Sequence, residues 1–405
     1  MNVKIRERKN RLLRMENFDF VSPTKIYFGE GKENLIGSII NSYGYKKILF
    51  CYGQGSIKRN GLYKKVVSSL KKAKIEFYEL DGIEPNPDVS LVRKGIDICR
   101  EKELDFILTV GGGSVIDTGK LISCGYYYNG DPYDISLKKV VCEKALPLGV
   151  ILTNSASGSE LSNSCVISSR ELKMKQGYNT DLNRPLFVIE NPKLTFSVDL
   201  HTTGCGVVDI LSHTFERYFS SSNKNEFSDY IALGLMKSLV DNARRLAKNL
   251  KDYQARANIM IASSYSHNGL TSLGKRNNMP IHKLEHELSA LYPNISHGEG
   301  LAILIPSWIE VCCQYNIEKF VTFSKIVLDV DQYLDDNKII EEGIKCLKEL
   351  FSLFNLKTSL SEFNVSKEDI SIMNSHIVEN KIKMFDIDED IDYNLAMKIY
   401  LNCLF

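Results

Sequence analysis

The chain has 405 residues, 43% hydrophobic and 25% charged, with a formal net charge of +1. Such a length exceeds one small core and suggests two domains, and the balanced charge excludes the basic footprint of a nucleic-acid binder. No apolar run approaches the roughly 20 residues of a membrane-crossing helix, and ten scattered cysteines without a CxxC pair fit a reduced, cytoplasmic compartment.

Residues 1–14, MNVKIRERKNRLLR, are strongly basic. Glu7 and the lack of serine argue against a targeting peptide, so the segment reads as a solvated leader ahead of Met15. Short β-rich runs then alternate with amphipathic stretches. KIYFG (25–29), KKILFCYG (46–53), KIEFYEL (74–80), FILTVGGG (106–113) and ALPLGVILT (145–153) read as strands. LYKKVVSSLKKA (62–73) and PDVSLVRKGIDICREKE (87–102) read as helices between them. This alternation implies a parallel sheet with helices on both faces and ligands at the carboxyl ends of its strands. Beyond about residue 200 the periodicity becomes that of helices, over 227–249, 258–270, 282–291, 317–328, 337–354 and 394–405. The expected organisation is a leader over 1–14, an α/β domain with a parallel sheet over 15–200, and an all-α domain over 201–405.

Three strand ends in the first domain are glycine-rich or hydroxyl-rich. GGGSVID (111–117) follows a strand and opens a helix, where free amides and the helix dipole suit a pyrophosphate. YGQGSIKRNG (52–61) offers a second such turn; in the usual fingerprint it would hold the pyrophosphate, with Glu79 or Asp81 on the ribose. LTNSASGSELS (152–162) is the third. Glycine-rich turns also occur for packing alone, so these segments point to a dinucleotide only as a set.

The second domain carries a metal-ligand pattern. Asp209 and His213 stand four apart in GVVDILSHTFERYF, and His282 and His286 repeat that spacing in HKLEHELSA, so each pair shares one helix face. His297 follows in the segment NISHGEG, read as a loop. Imidazoles with a carboxylate and no thiol suit Fe²⁺ or Zn²⁺. A pair four apart is more often a helix hydrogen bond, and HKLEH lacks the Glu that follows the first His in zinc proteases. Four of the seven histidines nevertheless gather in these segments.

With these motifs in order, from PTKIYFGEGK through YGQGSIKRNGLY, GIEPNP, VGGGSVID and GVVDILSHTFERYF to HKLEHELSA and HGEGLAILIP, the chain resembles the iron-containing (group III) alcohol dehydrogenase family. Within that family it is similar to the NADPH-dependent butanol dehydrogenase and aldehyde reductase branch. The resemblance implies a dinucleotide-binding α/β domain followed by a helical metal-binding domain. It moves the pyrophosphate to Gly112, Gly113 and Ser114, with Asp117 nearby, and puts Gly53, Gly55 and Ser56 beside the adenosine ribose. It also implies cofactor contacts from Asn86, Thr153, Asn154, Ser157 and Lys175. The metal ligands become Asp209, His213, His282 and His297, and His286 becomes a catalytic histidine near the nicotinamide that does not bind the metal. Three departures stand out: TNSASGSE at the third turn, one extra residue between His286 and His297, and Met279 where relatives carry a larger aromatic residue.

The expected activity is hydride transfer between NAD(P)(H) and a primary alcohol or aldehyde such as butanol or butanal, with one divalent metal, Fe²⁺ ahead of Zn²⁺. NADP(H) is expected over NAD(H), because Gly53–Arg59 carries no carboxylate to repel a 2′-phosphate. The alternatives are a glycerol dehydrogenase-like or dehydroquinate synthase-like enzyme on the same scaffold, or a non-catalytic nucleotide-binding oligomer, which intact metal ligands argue against. The edge-strand candidate at 25–29 and the resemblance together imply a homodimer.

Overall fold

A computed structural model of the chain describes residues 15–220, 225–276, 278–384 and 389–404; the expected leader over 1–14 lies outside them. The described residues form two compact units. One comprises residues 21–198 and 251–264, the other residues 15–20, 199–250 and 265–404.

The first unit is built on six parallel strands. They are β1 (Lys25–Phe28), β2 (Lys47–Gly53), β3 (Glu76–Ile83), β4 (Phe106–Gly111), β5 (Leu148–Leu152) and β8 (Phe187–Glu190), in the spatial order β1-β8-β5-β4-β2-β3. β1 is therefore an edge strand, and β4 lies in the middle with every residue buried. Helices α1 (Ile36–Ser42), α2 (Ser56–Arg59) and α3 (Leu62–Lys72) cover one face through Ile36, Ile40, Leu62, Val66 and Leu70. Helices α4 (Val89–Glu101) and α5 (Gly113–Gly125) cover the other through Val92, Ile96, Ile116, Leu121 and Ile122. The short α6 (Tyr133–Ser136) follows.

Three features depart from the sequence reading. The sheet strand β8 was not among the expected strands. β3 begins at Glu76 rather than residue 74, because Lys74 takes a left-handed turn (φ 54°) and the Ile75 amide closes the end of α3 on the Leu70 carbonyl at 3.0 Å. An unexpected antiparallel hairpin, β6 (Ser164–Ser169) and β7 (Met174–Asn179), is held from outside itself. Its Val166 amide donates to Asp117 at 2.9 Å, and its Ser168 amide to the Pro87 carbonyl at 2.9 Å.

A buried carboxyl pair closes the end of β8. Ser264 Oγ lies 2.7 Å from Glu190 Oε1 and 2.9 Å from Glu160 Oε1. One hydroxyl has one proton and can satisfy only one of these acceptors, so the second contact requires a protonated carboxyl. Burial and the adjacent Glu160 charge push Glu190 up to about 8, against ~4.3 in an unfolded chain. A raised folded pKa contributes stability that is complete below the unfolded value and is lost as pH rises through about 8. Glu190→Gln keeps a donor toward Ser264 and cannot ionise. The melting temperature of the variant minus that of the parent is therefore expected to climb by several degrees between pH 5 and pH 9; a flat difference would remove the shared proton.

The second unit is helical. It contains α7 (Leu200–Phe219), α8 (Glu226–Lys248), α10 (Pro280–Leu291), α11 (His297–Cys312), α12 (Ile317–Leu328), α13 (Asp336–Ser352), α14 (Lys367–Glu379) and α15 (Glu389–Asn402). Between them in sequence, α9 (Tyr253–Ser266) belongs with the sheet unit through Ser264. No described helix is long and apolar enough to cross a membrane.

Candidate metal centre and cofactor turns

The helical unit brings the expected metal donors together. α7 is capped by Asp199, whose carboxylate accepts the Thr202 amide at 2.8 Å, and it buries the face carrying Asp209, His213 and Glu216. α10 supplies His282, with Pro280 at its start. His297, expected in a loop, is the first residue of α11, behind Ser296 as N-cap. Asp209 Oδ1 sits among three imidazoles: 3.1 Å from His213 Nδ1, 3.5 Å from His282 Nε2 and 3.7 Å from His297 Nε2.

The orientation of the rings decides what this cluster holds. His213 Nδ1 donates to the Asp209 backbone carbonyl at 2.9 Å. His282 Nδ1 donates to Glu216, and His297 Nδ1 to Glu285. All three histidines thus have Nδ1 engaged by an acceptor, which leaves Nε2 as a lone-pair donor in the neutral ring. Asp209 Oδ1 and His282 Nε2 are buried without a hydrogen-bond partner among the described residues. Two electron-rich atoms facing each other at 3.5 Å need a proton or a metal cation between them.

Charge points the same way. Asp209, Glu216 and Glu285 are all buried. Burial opposes ionisation of Asp209, yet the surrounding imidazoles hold it well below the usual carboxylate range. Burial, aided by the charge of His282, pushes His213 down to about 4. For His282 burial acts downward too, but Glu216 and Asp209 outweigh it and bring the ring up to about 9. The negative charge that draws a proton to His282 serves a divalent cation equally, and the donors fit one. Glu285, His286 and His297 form a neighbouring group of possible donors. Since Glu285 engages His297 Nδ1 and His297 Nε2 turns to Asp209, the Asp209 group is the better candidate for a metal site.

Sequence reasoning missed the two orienting carboxylates. Glu216 does double duty: its Oε1 accepts the Ile281 amide at 2.6 Å and the His282 amide at 3.3 Å, capping α10, while its Oε2 orients the His282 ring. The signal was present, because Glu216 and Glu285 each stand three residues after a ligand candidate, His213 and His282, on the same helix face.

Apart from Lys175, the sheet unit carries the expected cofactor residues at or just beyond the ends of adjacent strands. β4 stops at Gly111, Gly112 caps α5, and the Gly113 and Ser114 amides precede the first intrahelical bonds, from Val115 and Ile116 to the Gly112 carbonyl. The Thr153 amide binds the Gly111 carbonyl at 3.0 Å. A Cβ on Gly112 would stand 3.3 Å from Asn154, and one on Gly113 only 2.4 Å from Ser157 Oγ, so the two turns touch through bare glycines. Gly53 ends β2, Gly55 takes a left-handed conformation (φ 97°), and Ser56 opens α2. Asn86 occupies a left-handed turn (φ 51°) before α4. Lys175 lies on β7 opposite Ser168, which bridges Asp88. Asp117 has both oxygens engaged inside the protein, by Ser159 Oγ at 2.5 Å and the Val166 amide at 2.9 Å. Its visible work is to fix the 157–166 segment.

Residues 23–192 match the iron-containing alcohol dehydrogenase family, and residues 203–389 match the C-terminal domain of that family. The chain is 42% identical over 367 residues to NADH-dependent butanol dehydrogenase A of Clostridium acetobutylicum, covering 90% of this chain and 94% of that one. It is 29% identical to the NADPH-dependent aldehyde reductase YqhD of Escherichia coli, covering 95% and 99% respectively. Among solved structures, NADH-dependent butanol dehydrogenase A of Thermotoga maritima superposes with a TM-score of 0.89 at 33% identity, over 97% of this chain and 100% of that one.

Proposed function

The chain belongs to the iron-containing alcohol dehydrogenase family and is a metal-dependent alcohol/aldehyde oxidoreductase; on that premise we propose that Asp209, His213, His282 and His297 hold one Fe²⁺, with Zn²⁺ the alternative occupant, and that primary alcohols and aldehydes of the butanol/butanal class are its substrates. The observation that carries the metal assignment is the arrangement of three imidazoles, each tied at Nδ1, around one orphaned carboxylate oxygen. Oxidation of 1-butanol by metal-stripped protein, restored by Fe²⁺, tests it; activity indifferent to chelation would defeat it.

A divalent ion held there supplies Lewis acidity toward the alcohol or carbonyl oxygen. A nicotinamide dinucleotide held at the glycine-rich strand ends would supply the hydride chemistry. The protein's part is to position both and to move a proton. Glu216 and Glu285 fix the ligand rings, so that the lone pairs are preset before metal binds. The Gly112, Gly113 and Ser114 amides, with Thr153, Asn154 and Ser157 beside them, bind the pyrophosphate, and Asp117 holds the last of these segments in place. Gly53, Gly55, Ser56, Asn86 and Lys175 serve the rest of the dinucleotide. His286, half-buried one turn after His282, takes part in the proton relay and stays outside the metal shell.

For the cofactor, the turn Gly53–Arg59 supports NADP(H), since it contains no acid, a Ser56 hydroxyl, Lys58 and Arg59. NADH is the second reading. Carboxylates from the far end of β3 reach the same turn: Gln54 Nε2 donates to Glu84 at 3.2 Å, and Asp81 lies 3.7 Å from Lys58. They oppose a 2′-phosphate, and the C. acetobutylicum relative is NADH-dependent. Steady-state kinetics with butanal decide between them. A kcat/KM ratio of NADPH to NADH above one supports the first reading; a ratio below one supports the second, and Glu84→Gln is then expected to raise it by roughly tenfold, the effect of ~1.4 kcal/mol.

The edge position of β1 supports a homodimer formed through the sheet unit, which light scattering tests. Ten free cysteines are consistent with the cytoplasm.

A further inference from the structure

The sheet unit buries a cation that the proposed chemistry does not use. Lys120, on α5, is 0% exposed. A lysine is almost never buried so completely unless its ammonium is matched. Its Nζ donates to the carbonyls of Ser159 at 2.7 Å, Ser162 at 3.0 Å and Ser164 at 2.7 Å. The Ser162 hydroxyl lies 3.2 Å from the same nitrogen and donates to the Ser164 carbonyl at 3.3 Å. Three carbonyls take three protons, so Lys120 stands there as an ammonium. Burial pulls it down to about 8, and the charge of Asp117 works against that pull.

These carbonyls belong to the irregular segment 153–163 between β5 and β6, and to Ser164 at the start of β6. Residues 158–162 are buried, and backbone groups buried outside a ladder need partners from elsewhere. Lys120 is the main supplier, and Arg184 adds a bond to the Leu161 carbonyl at 2.7 Å. Asp117, one turn earlier on α5, holds the donors of the same stretch, Ser159 Oγ at 2.5 Å and the Val166 amide at 2.9 Å. The stretch begins beside a cofactor turn. The Ser159 amide donates to Ser157 Oγ at 3.3 Å, and that hydroxyl is the atom a Cβ on Gly113 would meet at 2.4 Å. The seat of Ser157 against the start of α5 is therefore tied to Lys120 through Ser159.

Resting on the reading that Ser157 and its neighbours bind a dinucleotide pyrophosphate, we propose that Lys120 is a positioning residue for that cofactor, holding segment 157–164 in its binding conformation from behind. With no exposed surface, Lys120 does not reach the dinucleotide and acts through Ser159. A segment ordered in advance binds more tightly, because the ligand does not have to order it. Loss of the ammonium leaves three carbonyls in competition for other donors and loosens the turn. The cost falls on dinucleotide affinity. The metal donors, which lie on helices of the other unit, keep their places.

The test compares metal-replete parent, Lys120→Met and Lys120→Gln, each checked for folding by circular dichroism. Met fills the volume and removes every donor. Gln keeps two protons on a shorter, uncharged chain and is the milder variant for the case that Met does not fold. Binding of NADH and NADPH is titrated by fluorescence, and butanal reduction is followed at saturating dinucleotide. The Kd of the preferred dinucleotide is expected to rise roughly tenfold in Lys120→Met and by less in Lys120→Gln. At saturation kcat is expected to stay within about twofold of the parent, with KM for butanal and metal content unchanged. A lower melting temperature with a parental Kd would make Lys120 a stability residue and overturn the proposal, as would a loss confined to kcat or to bound metal. A parent chain that binds neither dinucleotide removes the pyrophosphate reading and this inference with it. A parent that binds, beside folded variants that bind as tightly, removes the role of Lys120 alone.

Discussion

His282→Ala is expected to lower kcat/KM for butanal by at least ~10³-fold and to strip the protein of its divalent ion, while the chain stays folded; a factor of ~10³ corresponds to about 4 kcal/mol of transition-state stabilisation. His282 Nε2 is one of the two orphaned atoms that call for a cation, so its removal subtracts a ligand and the main reason for the ion to bind. The fold survives because Glu216, left without the ring, keeps the Ile281 amide at 2.6 Å and Ser212 Oγ at 3.3 Å. Glu216→Gln is the subtler companion. Loss of the carboxylate frees the His282 tautomer, and metal affinity is expected to fall roughly 10–100-fold, the usual cost of losing such an orienting group. Metal analysis beside steady-state rates at matched Fe²⁺ checks both variants. Parental activity in His282→Ala would contradict the assignment.

Gly298→Ala is expected to cost about as much activity without touching a ligand. A Cβ at this position would lie 2.2 Å from the Cys205 carbonyl oxygen, 2.5 Å from Cys205 Cα and 2.6 Å from its carbonyl carbon. All three atoms are backbone of α7, so no rotamer relieves the overlap and α11 must move away. His297 is the adjacent residue on α11, and Asp209 lies one turn beyond Cys205 on α7. The displacement therefore opens the distance that lets His297 share an ion with Asp209. Overpacking of this kind costs ~1–3 kcal/mol of stability, and the larger loss is expected in metal affinity. Gly234→Ala on α8 is the control: its Cβ would meet nothing within 4 Å, and replacing a helical glycine there is expected to be neutral or stabilising. A metal-replete, fully active Gly298→Ala protein would show that the helix approach does not set the site.

The same contact explains what could and could not be read from the amino-acid order. The i, i+4 spacing of Asp209 and His213 is a local property of one helix, so the sequence displays it. Glu285 was missed, because HKLEH was read only against a protease pattern in which Glu follows the first His; here the carboxylate turns to His297. His297 was read as a loop residue, and Gly298 and Gly300 do depress helix propensity. Packing against α7 demands the first glycine and overrides that preference. The β6–β7 hairpin escaped because its register is set by Asp117 and Pro87, far away in sequence, and its strands carry Lys, Gln, Asn and Ser where a buried strand would carry aliphatics. The Gly53–Arg59 turn was judged by its own residues alone, whereas the sheet brings Glu84 to it from the neighbouring strand.

The most direct test of the metal assignment is an anomalous difference map from crystals loaded with Fe²⁺ under anaerobic conditions and measured on both sides of the iron edge. The predicted result is one peak per chain, bonded to Asp209, His213, His282 and His297, with His286 outside its coordination shell. A peak bonded to Glu285, His286 and His297, or no ordered peak in an active preparation, would contradict it.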